Sequence, residues 1–154
     1  MIKDVDRGWV AILREARGGS ASVDAGILGD EAAREHPGYR RNGSGLTVGD
    51  VATKNEYGDG RTPPRSFIRE PFDAGRSVYT RELQKTLARS SALDALEGIA
   101  RHYLADIKAT IRSRISPPLA QRTLDERRAA GIAGDIPLLA TRTLINSLST
   151  RRGR

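Results

Sequence analysis

The sequence predicts an α+β fold: a small antiparallel sheet packed against two or three helices, with a long extended loop or arm. Three observations lead there. Residues 91–115 place Leu93, Leu96, Ile99, Ala100, Tyr103, Leu104, Ile107, Ile111 and Ile115 at the 3.6-residue period of a helix with one apolar face. Residues 20–29 alternate Ala21, Val23, Ala25 and Ile27 with Ser22, Asp24 and Gly26, the two-residue period of a strand. Residues 59–73 hold three prolines, which bias themselves and their predecessors toward extended backbone.

The remaining elements follow in chain order. Residues 4–17 put Val5, Trp9, Ile12, Leu13 and Ala16 on one helical face, between a capping Asp4 and the stop Gly18-Gly19. Residues 30–46, rich in glycine and arginine, read as a long basic loop. Thr47-Val48-Gly49-Asp50 has the pattern of a capping box and opens a short helix that stops near Tyr57-Gly58. Residues 74–89 form a helix with Val78, Leu83 and Leu87 inward. The 91–115 helix stops before Pro117-Pro118. A short helix covers 123–130, with Thr123 as cap and Gly131 as stop. Pro137 begins a last element over 138–150 whose type the pattern leaves open. The chain reads as a single domain over 1–150 and a basic tail at 151–154, Arg151-Arg152-Gly153-Arg154, expected to fray.

Composition narrows the function classes. At 154 residues with 38% apolar content, the chain supports one modest core. The net charge is +7, carried by 22 arginines and 4 lysines. Arginine suits interfaces and phosphate contacts, although acidic residues are interspersed with it. The absence of cysteine excludes disulfides and thiolate metal sites. No apolar signal core follows the N-terminus, and no stretch approaches the roughly 20 apolar residues that span a bilayer, so the expected protein is soluble, cytoplasmic where it is made, and without a membrane partner.

Catalysis needs a nucleophile or titratable group beside a partner. His36 falls in the basic loop and His102 on the long helix, and both read as surface or interface histidines. No metal-ligand spacing is present. Gly26-Ile27-Leu28-Gly29 and Asn42-Gly43-Ser44-Gly45 lack the residues that complete a dinucleotide or P-loop motif, and turn formation accounts for both. The sequence therefore predicts no enzyme, no cofactor and no metal. The stripe Arg101, Lys108, Arg112 and the loop arginines leave open a small basic DNA-binding protein, read against the plainer alternative of a solvated helix face.

Two segments carry a resemblance. The first runs from Val51-Ala52-Thr53-Lys54-Asn55-Glu56-Tyr57-Gly58 to Arg61-Thr62-Pro63-Pro64-Arg65-Ser66-Phe67-Ile68-Arg69. The second comprises Ile111 to Ile115, Pro117-Pro118-Leu119, Thr123-Leu124, Arg127, Pro137-Leu138-Leu139-Ala140-Thr141 and Leu144-Ile145-Asn146-Ser147-Leu148. In content, order and spacing they resemble the virion-morphogenesis, or tail-completion, proteins of tailed bacteriophages. Thr141-Arg142 stands where that family has Thr-Gly, and the strand after the second block is expected to be cut short by Arg151-Arg152.

The resemblance implies a structural protein of the virion neck, made in the host cytoplasm, which assembles as a ring that completes the tail and helps join it to the head. A tail terminator capping the tube is the closely related alternative. Partners would be copies of itself, six-fold or else twelve-fold, other neck and tail proteins, and packaged DNA. The expected interface or structural residues are Asn55, Glu56, Tyr57, Gly58, Pro64, Arg65, Phe67, Pro118, Leu119, Thr123, Arg127, Pro137, Leu138, Thr141, Leu144 and Ser147. From the residues themselves, Glu56 and Arg65 are near enough in sequence to pair across a turn, with Phe67 anchoring in the core or in a neighbouring subunit.

Overall fold

The computed structural model describes residues 21–41, 44–113 and 115–153; the predicted helix at 4–17 lies outside them. Strand β1 (Val23–Ile27) leads into the single-turn helix α1 (Gly29–Ala33), and strands β2 (Glu35–Arg41) and β3 (Ser44–Thr47) follow. Helices α2 (Val48–Tyr57), α3 (Arg69–Leu87), α4 (Ala92–Arg112), α5 (Gln121–Ala129) and α6 (Thr143–Asn146) complete the set with strand β4 (Leu148–Arg152). The fold is α+β, with its strands in two two-stranded antiparallel sheets.

β1 pairs with β4 from Val23↔Arg152 to Ile27↔Leu148, and Gly153 N donates to Ser22 O at 2.8 Å. Arg151 and Arg152 are therefore part of a strand and not of a frayed tail. These arginines are held by acids of earlier elements: Arg151 meets Asp24 at 3.0 Å, and Arg152 grips Glu97 through Nε and Nη2 at 2.6 and 3.0 Å. These pairs are largely exposed and screened by solvent, but they lie where the ladder ends.

Residues 30–46 are not a loop. α1, β2 and β3 occupy them, and β2 pairs with β3 through Glu35↔Thr47, Arg40↔Gly45 and Arg41↔Ser44 with an irregularity between. The dipeptide between these strands, Asn42-Gly43, is a strong hairpin signal that the composition of the segment conceals.

The capping box at Thr47 forms as expected. Asp50 N donates to Thr47 Oγ1 at 3.1 Å, and Thr47 N donates to Asp50 Oδ2 at 3.0 Å. α2 buries Val48, Val51, Ala52, Asn55 and Glu56. The extended segment after it ends at Ile68, five residues before the prolines suggest. Pro71 sits in the first turn of α3, where backbone N–H groups have no helical acceptor to lose. The inward face of α3 is also rotated from the expected one. Val78 is 41% exposed and Tyr79 is 4% exposed, while Leu83 and Leu87 are half-buried.

α4 is the centre of the core. Ser91 caps it through Asp94 N at 3.2 Å, and Ala95, Ala100, Leu104, Ile107 and Ile111 are buried along it. Of these, Leu104, Ile107 and Ile111 join Val48, Val51, Ala52, Phe67, Ile115, Leu144, Ile145 and Leu148 in one cluster, with Ala25 and Ile27 of β1 packed against it. α5 begins at Gln121 behind Ala120, so Thr123 is in the first turn and is not the cap; Gly131 (φ 69°) ends the helix as expected.

The absent turn glycine has a visible consequence. Arg142, just before α6, takes φ 56° and ψ 8°, the left-handed region that costs an L residue about 1–2 kcal/mol. Arg142→Gly should raise the unfolding free energy by about 0.5 kcal/mol, the relief of strain exceeding the added entropy of the unfolded chain. Arg142→Val should lower it by about 1 kcal/mol or more. Urea melts of the two variants, giving the same order in both directions from wild type, check the assignment.

Candidate functional site

The site is built around the turn that follows α2. Gly58 (φ 79°) reverses the chain, and a Cβ there would sit 3.0 Å from Thr62 O and 3.2 Å from the Pro64 ring. Asp59 then organises the turn, accepting from Lys54 Nζ at 2.6 Å, Thr62 N at 2.8 Å and Arg61 N at 3.2 Å. The Lys54 contact, followed by the two backbone donors, holds its carboxyl well below the usual carboxylate range.

From Pro63 onward the arm is bonded to its own domain through Arg65, Ser66 and Ile68. Arg65 N donates to Asn55 O at 2.6 Å, and the Asn55 amide donates back to Val51 O at 2.8 Å. The Arg65 side chain, only 5% exposed in the residue as a whole, donates through Nε to Pro117 O (2.6 Å) and through Nη2 to Pro118 O (3.0 Å). Phe67 is fully buried in the core.

Glu56 and Arg65 do not pair, against the expectation from their spacing. Glu56 instead faces the start of α3. Its carboxylate accepts from Ser66 Oγ at 2.7 Å, Ile68 N at 2.9 Å, and Arg69 N and Nε at 3.1 and 3.0 Å. Ile68 and Arg69 are the cap and first residue of a 19-residue helix, so Glu56 supplies the anion that a helix N-terminus favours. Burial alone would raise its carboxyl; the donors from Ser66, Ile68 and Arg69 outweigh burial and hold it below the ordinary value of 4.5. The Arg69 guanidinium also lies 4.5 Å over the ring of Tyr57, which is otherwise exposed.

The second block closes on the first from the other side of the α3–α4 hairpin. Arg127 Nη1 donates to Ile136 O at 3.1 Å and Gly134 O at 3.4 Å, drawing the loop before Pro137 onto α5. Between the two blocks lies a groove of about 300 Å³. Ten of the sixteen expected residues line it: Asn55, Arg65, Pro118, Leu119, Thr123, Arg127, Pro137, Leu138, Thr141 and Leu144. The other six do not. Glu56 and Phe67 fix the arm from below, Gly58 and Pro64 shape the turn, and Tyr57 lies under Arg69. Ser147, 1% exposed, ties α6 to α1 through Arg34 at 3.2 Å and Glu31 at 3.2 Å.

The groove also includes a residue that sequence reasoning set aside. His36, read as a surface or interface histidine in a loop, is 5% exposed on β2, with Nε2 3.4 Å from Thr141 Oγ1. Burial, more than the nearby Arg34 charge, lowers its pKa and keeps the ring neutral at pH 7. Its signal in the sequence was its place one residue into a strand, legible only once the hairpin is recognised.

A separate polar cluster occupies the α3–α4 seam. His102 is half-exposed, with Nδ1 2.8 Å from Glu82 and Nε2 3.6 Å from Asp106, and the Tyr79 hydroxyl donates to Asp106. Tyr79 packs edge-on against His102 and Tyr103, and a Cβ on Gly75 would collide with its ring. These groups satisfy one another across the helix pair. Among the described residues no group of three or more His, Asp or Glu is arranged to hold a metal ion, and no helix is long and apolar enough to cross a membrane.

In comparisons with known proteins, no family model, curated protein or solved structure gives a match.

The Glu56 arrangement sets a pH dependence. A carboxyl lowered in the folded state stabilises the fold above its unfolded value, and that stability is lost as pH falls through the folded value. Stability should therefore decline below about pH 4.5 partly through this group. Glu56→Gln should cost about 2–4 kcal/mol at pH 7, because the amide presents a donor to groups that are all donors. Denaturant melts between pH 3 and 7 should show a flatter acid limb in the variant. An equally steep limb would remove Glu56 from this role.

Proposed function

We propose that the chain is a structural protein of a tailed-phage virion, acting at the head–tail junction, where it assembles as a ring that completes the tail and helps join it to the head. The observation that carries this reading is the convergence of the two resembling blocks. α3 and most of α4 separate them in sequence, yet they form opposite walls of one groove.

The role proposed is recognition by surface shape, without chemistry. Arg65 and Arg127 reach backbone carbonyls and hold the groove walls in place. A preformed, rigid groove suits a heterologous contact, in which one face of a subunit receives a different face of the next and the rotation closes into a ring. Six-fold closure is what the tail implies, with twelve-fold the alternative beside the portal. The other partners in this reading are neck and tail proteins of the virion, and its location is the particle.

Deleting the gene and imaging the lysate tests the role. Separate filled heads and tails are expected; normal infectious particles would overturn it, and tails of uncontrolled length would move the role to tail termination. The groove itself is tested by Thr123→Trp, which fills it from a half-buried position on α5. The variant should melt within about 0.5 kcal/mol of wild type but fail to form the ring in sedimentation velocity. An intact ring with tryptophan in place would exclude the groove as the contact.

A further inference from the structure

We propose that the outer face of α3, with Arg81, Lys85 and the following Arg89, binds the phosphate backbone of duplex DNA without reading its sequence.

Charge accounting along the α3–α4 hairpin supports this. Residues 69–112 contain eight cations and six carboxylates. Glu70 and Asp73 lie in the first turns of α3, eight or more residues before Arg81, and the other four carboxylates are engaged within the domain. Glu82 holds His102, Asp106 accepts from Tyr79, Asp94 accepts from Ser91 and Arg152, and Glu97 accepts from Arg152 with Arg101 alongside. Arg81, Lys85 and Arg89 are exposed and have no carboxylate within 4.0 Å among the described residues.

Their spacing suits a polyanion. A four-residue step places Arg81 and Lys85 about 6 Å apart along the axis of α3, and Arg89 follows in the turn after the helix. Attraction to the helix C-terminus accounts for cations in the last turn only, so it does not account for Arg81. The stripe named from sequence on α4 is a weaker candidate, because Arg101 is already 3.8 Å from Glu97. A duplex fits better than a single strand. Phe72, Tyr79 and Tyr103 meet edge-on or tilted at the seam, and Arg81, Lys85 and Arg89 have no aromatic residue interleaved among them to serve as a platform for bases. The inference does not rest on the virion reading: it concerns the isolated chain, whereas that reading is tested by the particles in a lysate.

Fluorescence anisotropy of the full chain with a random-sequence duplex, across a salt series, is the test. Binding should weaken linearly in log–log form with salt. The triple variant R81Q/K85Q/R89Q should bind at least about tenfold more weakly at low salt and reduce the salt slope by about 2.7, at roughly 0.9 per phosphate contact. The control K108Q/R112Q, which removes two charges from α4, should change affinity by less than about threefold, and both variants should keep the wild-type melting temperature. No wild-type binding at low salt, or equal loss per charge in both variants, would overturn the assignment. So would displacement by polyglutamate as effective as by unlabelled duplex, which would give the face to an acidic protein partner.

Discussion

A buried carboxylate at the junction of two helices governs this structure. Glu56 closes α2 and opens α3 at once: its oxygens take Ser66 Oγ and the first backbone donors of α3, and they engage Arg69. A buried charge left without such partners would cost several kcal/mol, so the position is tolerable only when all the donors arrive together. That requirement fixes where the arm must end and where α3 must begin.

The rest of the site follows from it. With Ile68 and Arg69 held at Glu56, Phe67 is directed into the core and Arg65 is left facing the loop after α4. Arg65 then binds two consecutive carbonyls in a fork that lysine has no geometry to reproduce. Its contact brings the Pro117-Pro118 segment against the turn at Gly58–Pro63, and the groove is the space between them.

Arginine does much of this work. In a chain with a modest core, Arg34, Arg65, Arg151 and Arg152 each tie elements distant in sequence, and Arg69 and Arg127 close nearer turns, through carbonyls, hydroxyls or carboxylates. In the α3–α4 hairpin Glu82, Asp94, Glu97 and Asp106 are also engaged within the domain, while Arg81, Lys85 and Arg89 stay exposed with no carboxylate within 4.0 Å among the described residues.

Local chemistry was legible in the sequence by itself. The α+β class, β1, the capping box at Thr47, the stop at Gly58 and the stop at Gly131 each appear where their patterns placed them, and α4 was legible as the main amphipathic helix although it ends at Arg112, three residues before the expected Ile115. Phe67 was legible as an anchor, though not whose core it enters. Tertiary structure alone decided which partners the polar residues took. The proximity of Glu56 and Arg65 suggested a pair, but a helix N-terminus and two distant carbonyls outcompeted it. Val78 and Tyr79 are adjacent, so only the packing of α3 on α4 selects which one turns inward. The hairpin at 35–47 and the strand at Arg151-Arg152 were hidden because glycine and arginine content describes a surface, whereas a strand is made by its partner. Periodicity and capping are properties of a short stretch of chain; register, rotation and the matching of buried charges are properties of the whole.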